Sequence, residues 1–264
     1  MLQKILLGTS LLLAAGCATV PITGRRQLSL VGDSEMNSLA ITQYKQTLSE
    51  AKLSTNTEQT AMVRRVGQRI ANAVQLYFKQ QGQSAQLDGY QWEFNLIDDP
   101  KTVNAWCMPG GKVVVYTGIL PLTQNEEGLA VVLGHEISHA VAKHGAERMS
   151  DQLVAQLGST ALGTALSQNP TATKNIFLGA VGAGSQLGML AFSRRQESEA
   201  DHLGLIFMAM AGYNPAGATS FWQRMQAQSQ NGTPAFLSDH PADAQRITDI
   251  KADLPEALKY YKAR

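Results

Sequence analysis

The pentapeptide His135-Glu136-Ile137-Ser138-His139 constrains this chain more than any other feature, because of the run that contains it. Glu126 through about Met149 is strongly apolar on one side and carries no proline, which predicts a helix. In a helix, two histidines four residues apart leave the same face about one turn apart, so their imidazoles suit one tetrahedral metal ion. Glu136 lies one position round, where its carboxylate reaches a water on such an ion rather than the ion itself. Val131-Val132-Leu133, just before the motif, would bury that face. An ordinary polar helix face spelling the same letters is the bland alternative, and the apolar flanks argue against it.

A catalytic zinc needs a third protein ligand and one position left open. Arg194-Arg195-Gln196-Glu197-Ser198-Glu199-Ala200-Asp201 offers three carboxylates on one predicted helix. Glu197 and Asp201, four apart, share a face. Glu199 points elsewhere and reads as part of a solvated helix start. A glutamate ligand followed one turn later by an aspartate that accepts the free N–H of a ligating histidine is a common division of labour. His144 is nine positions after His135, about half a turn round, and His202 faces away from Glu197, so both read as structural or surface residues. His240 precedes Pro241, which favours an extended conformation at the mouth of the last helix. It is either aimed into a cleft or a capping residue of the loop. Arg246 either orients that loop through a carboxylate or carbonyl or lies on the surface.

Together these residues resemble the zinc metalloproteases of the HtpX, BepA and LoiP type, which include the CAAX prenyl proteases and the mitochondrial Oma proteases (metallopeptidase family forty-eight). The resemblance spans roughly Asn104 to Arg246. It rests on Gly134-His135-Glu136-x-x-His139, Glu197-x-x-Ala200-Asp201, Gly212-Tyr213-Asn214-Pro215, and His240-Pro241 followed by Arg246. It implies one zinc ion per chain held by His135, His139 and Glu197, with Glu136 as general base and Asp201 behind a ligating histidine. It implies for His240 either an oxyanion donor or a plug in the open zinc position. It also implies that Asn104, Ala105 and Trp106, or the neighbouring strand Lys112 to Thr117, border the cleft, where an extended substrate adds as a further strand.

The N-terminus reads as an address. Lys4 precedes the apolar run Ile5 to Leu13, too short for a permanent membrane span, and Leu13-Ala14-Ala15-Gly16-Cys17 resembles the lipobox of bacterial lipoproteins. That resemblance implies cleavage after Gly16, lipidation of Cys17 and membrane attachment through its acyl chains. Ala18 rather than aspartate after the cysteine then favours the outer membrane, facing the periplasm. A signal peptide cut elsewhere is the alternative. Residues 1–16 are thus expected to be a signal peptide, residues 17–34 a lipidated tether without periodicity, and residues 35–264 the zinc metalloprotease domain.

Within that domain, Asp33 or Ser34 can cap a helix beginning near Glu35, and Thr57 to Lys79 carries Val63, Val66, Ile70, Val74 and Tyr77 at helical spacing. Tyr90, Trp92, Phe94 and Leu96 alternate with polar residues as in a strand with one buried face. Two short extended runs flank Pro109-Gly110-Gly111 as in a hairpin. Residues 158–192 read as a packed or mobile helical stretch, with a lid or a membrane-touching element as alternatives. The resemblance implies a predominantly helical α+β, zincin-like fold with a small sheet beside the motif helix.

Lys plus Arg number 22 against 21 for Asp plus Glu, which gives no electrostatic reason to expect nucleic acid as a partner. The expected partners are protein or peptide substrates, the membrane, and an envelope adaptor or assembly machinery. The expected activity is a zinc endopeptidase acting on misfolded or stalled envelope proteins. The competing readings are a zinc-containing chaperone or binding module with latent protease activity and, less supported, a hydrolase of small amides.

Overall fold

The computed structural model describes residues 17–20, 23–157, 170–181, 192–229, 234–240 and 244–263. The signal-peptide expectation for residues 1–16 lies outside them, as does most of the expected lid at 158–192, of which only 170–181 and Phe192 are described. In chain order the elements are β1 (Cys17–Thr19), β2 (Arg26–Leu28), α1 (Asp33–Glu50), α2 (Thr57–Gln80), β3 (Glu93–Ile97), β4 (Ala105–Met108), β5 (Lys112–Tyr116), α3 (Leu120–Thr123), α4 (Glu126–Val141), α5 (His144–Leu157), α6 (Pro170–Val181), α7 (Arg194–Met210), α8 (Gly217–Ser229), α9 (Ala235–Asp239) and α10 (Ala244–Ala257). The fold is α+β and mostly helical, and no helix among the described residues is long and apolar enough to cross a membrane.

The three-stranded sheet has the order β3-β5-β4, with β3 parallel and β4 antiparallel to β5. Gly110 and Gly111 turn the β4–β5 hairpin at φ of 76° and 79°, angles that cost a side-chain-bearing residue strain. Successive strand residues face opposite sides. Phe94, Leu96, Ala105, Cys107, Val113 and Val115 enter the main core with α2, α4 and α7. Ile97, Trp106, Met108 and Val114 face a second cluster with residues of α1, α5 and α6. This double covering explains why β5 is buried almost throughout and does not alternate in polarity.

The motif helix α4 is the centre of the molecule: Gly128 to Val141 are all buried. Asn125 caps it by accepting the Gly128 amide at 2.9 Å. It ends eight residues earlier than its apolar periodicity predicts. Lys143 takes φ 60°, the left-handed conformation that stops a helix, and α5 starts afresh at His144. Two smaller expectations also need correction. Helix α1 has Gly32 at its cap position with no side-chain cap, instead of Asp33 or Ser34. The strand expected over Tyr90 to Leu96 begins only at Glu93.

The segment read as a tether is folded where it is described. β1 and β2 pair antiparallel, Val20 belongs to the main core, and the buried Gln27 side chain donates to the Ala142 carbonyl at 3.0 Å. The sequence shows no periodicity there because three-residue strands are too short to display one.

Candidate metal centre

The site forms where α4 and α7 cross closely. A Cβ on Gly134 would lie 2.9 Å from the Gly204 carbonyl oxygen, and one on Gly204 would lie 3.0 Å from the Gly134 backbone. Only glycines allow this approach, and it brings the histidines of α4 to the first turn of α7. That turn is fixed by a reciprocal cap: Ser193 Oγ accepts the Gln196 amide and Gln196 Oε1 accepts the Ser193 amide. Glu197 follows immediately, buried.

Within this crossing, one donor atom each from His135, His139, Glu197 and His240 lies within 4.8 Å of every other, and all four side chains are buried. His135 Nε2 is 3.0 Å from His139 Nε2 and 3.1 Å from His240 Nδ1, which is 2.9 Å from Glu197 Oε1. The outer nitrogens of the first two rings are engaged: His135 Nδ1 lies 2.9 Å from Asp201 Oδ1, and His139 Nδ1 lies 2.9 Å from His144 Nδ1. Asp201 accepts the His135 Nδ1–H, leaving a lone pair on His135 Nε2 that faces the other nitrogens. Ring nitrogens converging in this way repel unless a proton or a metal ion sits between them. A tetrahedron of ligands about 2.0–2.1 Å from its centre has edges of about 3.3 Å, close to the spacing seen. The donor set of three imidazole nitrogens and one carboxylate therefore fits a divalent transition metal.

The electrostatics of His240 and Glu197 agree with that assignment. At His135, burial and Arg246 are outweighed by Asp201 and Glu197, which raise the ring to about 9, so a metal ion there displaces a proton. Burial pushes His240 down to about 4, against the pull of Glu197, so at neutral pH its ring is uncharged and can ligate. Glu197 is held well below the ordinary carboxylate range: burial opposes this, but the Arg246 guanidinium outweighs it. Arg246 is buried and donates to Asp201 at 2.5 and 2.8 Å, reaches Glu197 Oε2 at 2.6 Å and the His240 carbonyl at 3.3 Å, and lies 3.6 Å over the Trp222 ring. Of its two sequence readings, the surface one does not hold, since the side chain is buried. Glu136, also buried, has an Oε1 with no hydrogen-bond partner, and burial raises its pKa to about 8. His240 Nε2 stands 3.3 Å from that oxygen.

Glu136 and His139 share a cleft with Cys107, Pro109, Tyr90 and Phe192. Of the two runs expected at its edge, β5 is paired on both sides, whereas β4 has no second partner strand among the described residues. The pairing of Asn104 with Tyr116 turns the main chain of Trp106 toward β5 and that of Ala105 and Cys107 outward. The Ala105 amide is already satisfied by Asn104 Oδ1 at 2.8 Å, and Phe236 closes the end of the edge by donating to the Val103 carbonyl.

One sequence reading is overturned, and for another the outcome stands but the premise of an unbroken helix does not. Glu199 is not solvated but buried, accepting from His144, Arg25 and Thr23. His144 is fully buried against His139, because the break at Lys143 swings it back toward a ring that a continuous helix would keep out of reach. It is outside the four-residue metal group, as its spacing predicts. His202 faces Asp253 at 3.4 Å, away from Glu197.

Comparison with known proteins extends this picture beyond the site. The chain is 36% identical over 243 residues to the mitochondrial metalloendopeptidase OMA1 of Schizosaccharomyces pombe, an alignment covering 90% of this chain and 66% of that protein. It is 30% identical over 246 residues to the human mitochondrial metalloendopeptidase OMA1, covering 90% of this chain and 46% of that one. It is 32% identical over 169 residues to the beta-barrel assembly-enhancing protease of Escherichia coli, covering 61% and 34%. The chain thus spans between about a third and two thirds of these relatives. The family model for peptidase family M48 matches residues 57–253, which include every residue of the metal group, and the chain belongs to that family.

Proposed function

We propose that this protein is a zinc-dependent endopeptidase. The observation that carries this reading is the buried group His135, His139, Glu197 and His240 with the buried Glu136 beside it, whose Oε1 accepts no hydrogen bond, in a chain of a peptidase family. A zinc ion bound there would polarise a scissile carbonyl and acidify a water. Glu136, its pKa raised by burial, takes a proton from the attacking water and delivers it to the leaving amine. Asp201 and Arg246 hold His135 and Glu197 in place, and the outward main chain of β4 receives the substrate as an added strand. Glu136→Gln should bind zinc as tightly as the parent and cleave no unfolded casein; persistent cleavage by a contaminant-free preparation of this variant would sink the reading.

A second reading, a latent or self-inhibited protease serving as a binding module, draws on His240. Its Nδ1 stands among the ligand atoms, where a catalytic site needs an open position. His240→Ala should raise cleavage if the ring plugs the site and lower it if the ring serves as an oxyanion donor. The setting we propose is the bacterial envelope. The lipobox-like residues before Cys17 support a lipid anchor in the outer membrane, and misfolded or stalled envelope proteins are the proposed substrates. A palmitate label that disappears in Cys17→Ala would test the anchor.

A further inference from the structure

We infer that the N-terminal hairpin is a working part of the metal centre: Arg25 is a positioning residue that orients the ligand His139 through Glu199 and His144. This rests on the zinc-site reading above.

The connection is continuous. Arg25 Nε donates to Glu199 Oε2 at 2.8 Å, and the Thr23 hydroxyl donates to Glu199 Oε1. Glu199 Oε2 faces His144 Nε2 at 2.9 Å, and His144 Nδ1 faces His139 Nδ1 at 2.9 Å. Donor and acceptor roles can be assigned along the whole line. An ionised carboxylate only accepts, so His144 carries its proton on Nε2. Its Nδ1 is then a lone pair, which requires His139 to carry its proton on Nδ1. The lone pair of His139 is thereby fixed on Nε2, the atom that points into the metal group. With the Glu199 carboxylate removed, His144 is free to take the other tautomer, and two N–H groups would then oppose each other at His139.

Arg25 holds the carboxylate in that position. Its other terminal nitrogens grip Glu147 of α5 at 2.6 and 2.8 Å, so the guanidinium bridges α5 and α7. Glu147 in turn accepts from Gln196 Nε2 at 2.8 Å, in the turn just before Glu197. A second contact places the hairpin at the same end of α4: Gln27 Nε2 satisfies the Ala142 carbonyl, three residues beyond His139. Ligating histidines commonly rest directly on a carboxylate, as His135 does on Asp201. His139 reaches its carboxylate only through a second imidazole, and the cation behind that carboxylate comes from a segment eight residues from Cys17.

The test uses the full chain and measures zinc affinity by chelator competition, with the visible spectrum of the cobalt-substituted protein as a second readout. Arg25→Ala, Glu199→Gln and His144→Phe should each weaken zinc binding about 10-fold and alter the cobalt bands, since loss of such supporting partners typically costs 10- to 100-fold. Because Arg25 acts through His144, adding Arg25→Ala to His144→Phe should weaken zinc binding no further. Losses that multiply would mean that Arg25 merely braces the fold, and would overturn the inference. Arg25→Lys should recover part of the affinity, and Lys52→Ala, at an ion pair remote from the site, should leave it at the parent value. Unchanged zinc affinity and cobalt spectrum in Arg25→Ala, beside a parent that binds zinc and cleaves casein, would overturn this inference alone. A parent that binds no zinc would overturn the zinc-site reading as well.

Discussion

The two histidines of the motif, one turn apart on the same helix, are held by unlike surroundings. His135 is backed by a carboxylate and a guanidinium from α7 and α10, in direct contact and wholly inside the domain. His139 is backed by a neutral imidazole, then a carboxylate, then a guanidinium from the N-terminal hairpin. The difference teaches that one half of the site is completed by short-range packing of the core helices, whereas the other half depends on a segment far away in sequence. Perturbing the first half should cost folding as well as metal affinity; perturbing the second should cost metal affinity with the core left intact.

The strongest test of that contrast is Arg246→Ala. It strands two buried carboxylates, Glu197 and Asp201, and should destabilise the fold by about 3–5 kcal/mol, read as a lowered urea midpoint in metal-free protein. Arg25→Ala should lower the midpoint less, because Arg25 and Glu147 each keep 14% of their side-chain surface exposed and His144 and Thr23 still face Glu199; an equal loss would erase the distinction. Gly204→Ala comes next, at about 1–3 kcal/mol, as its new methyl meets the Gly134 backbone and pushes α7 from α4. Zinc affinity should fall in parallel, since Glu197 moves with α7. Asp201→Asn against Glu199→Gln sharpens the comparison: the direct contact should lose about 100-fold in zinc affinity and the relayed one about 10-fold, by the same chelator titration. The smallest effect belongs to Lys143→Gly, which relieves a left-handed backbone at the α4–α5 break and should raise the urea midpoint by the equivalent of up to about 1 kcal/mol.

The first half of the site was legible in the sequence and much of the second was not, for a physical reason. His135, His139, Glu197 and Asp201 are related by four-residue spacings inside single helices, and helical geometry alone says which of them share a face. Only the crossing of α4 with α7 had to be supplied from elsewhere, by the family resemblance. His144 is a buried structural residue outside the metal group, one of its two sequence readings. Its contact with His139 was not legible, because the spacing argument assumes one unbroken helix, and nothing in Ala142-Lys143-His144 signals a left-handed residue as a glycine would. Glu199 was misread because its partners, Thr23 and Arg25, are more than 170 residues away, and local periodicity carries no information about such pairs. The sheet was legible as strands and a turn. Which strand stood at the edge was not, since β4 and β5 are both apolar and only the pairing order separates them.

The open edge at β4 has a consequence for solubility. An unpaired strand is a template on which a second copy of the same chain can stack, and long flat edges of this kind seed aggregates. Here the strand is four residues long, its leading amide is occupied by Asn104, and Phe236 blocks its upstream end. What remains open among the described residues is too short to nucleate a growing sheet. Lengthening this edge, for instance by displacing α9, should turn the proposed docking place into a source of precipitation.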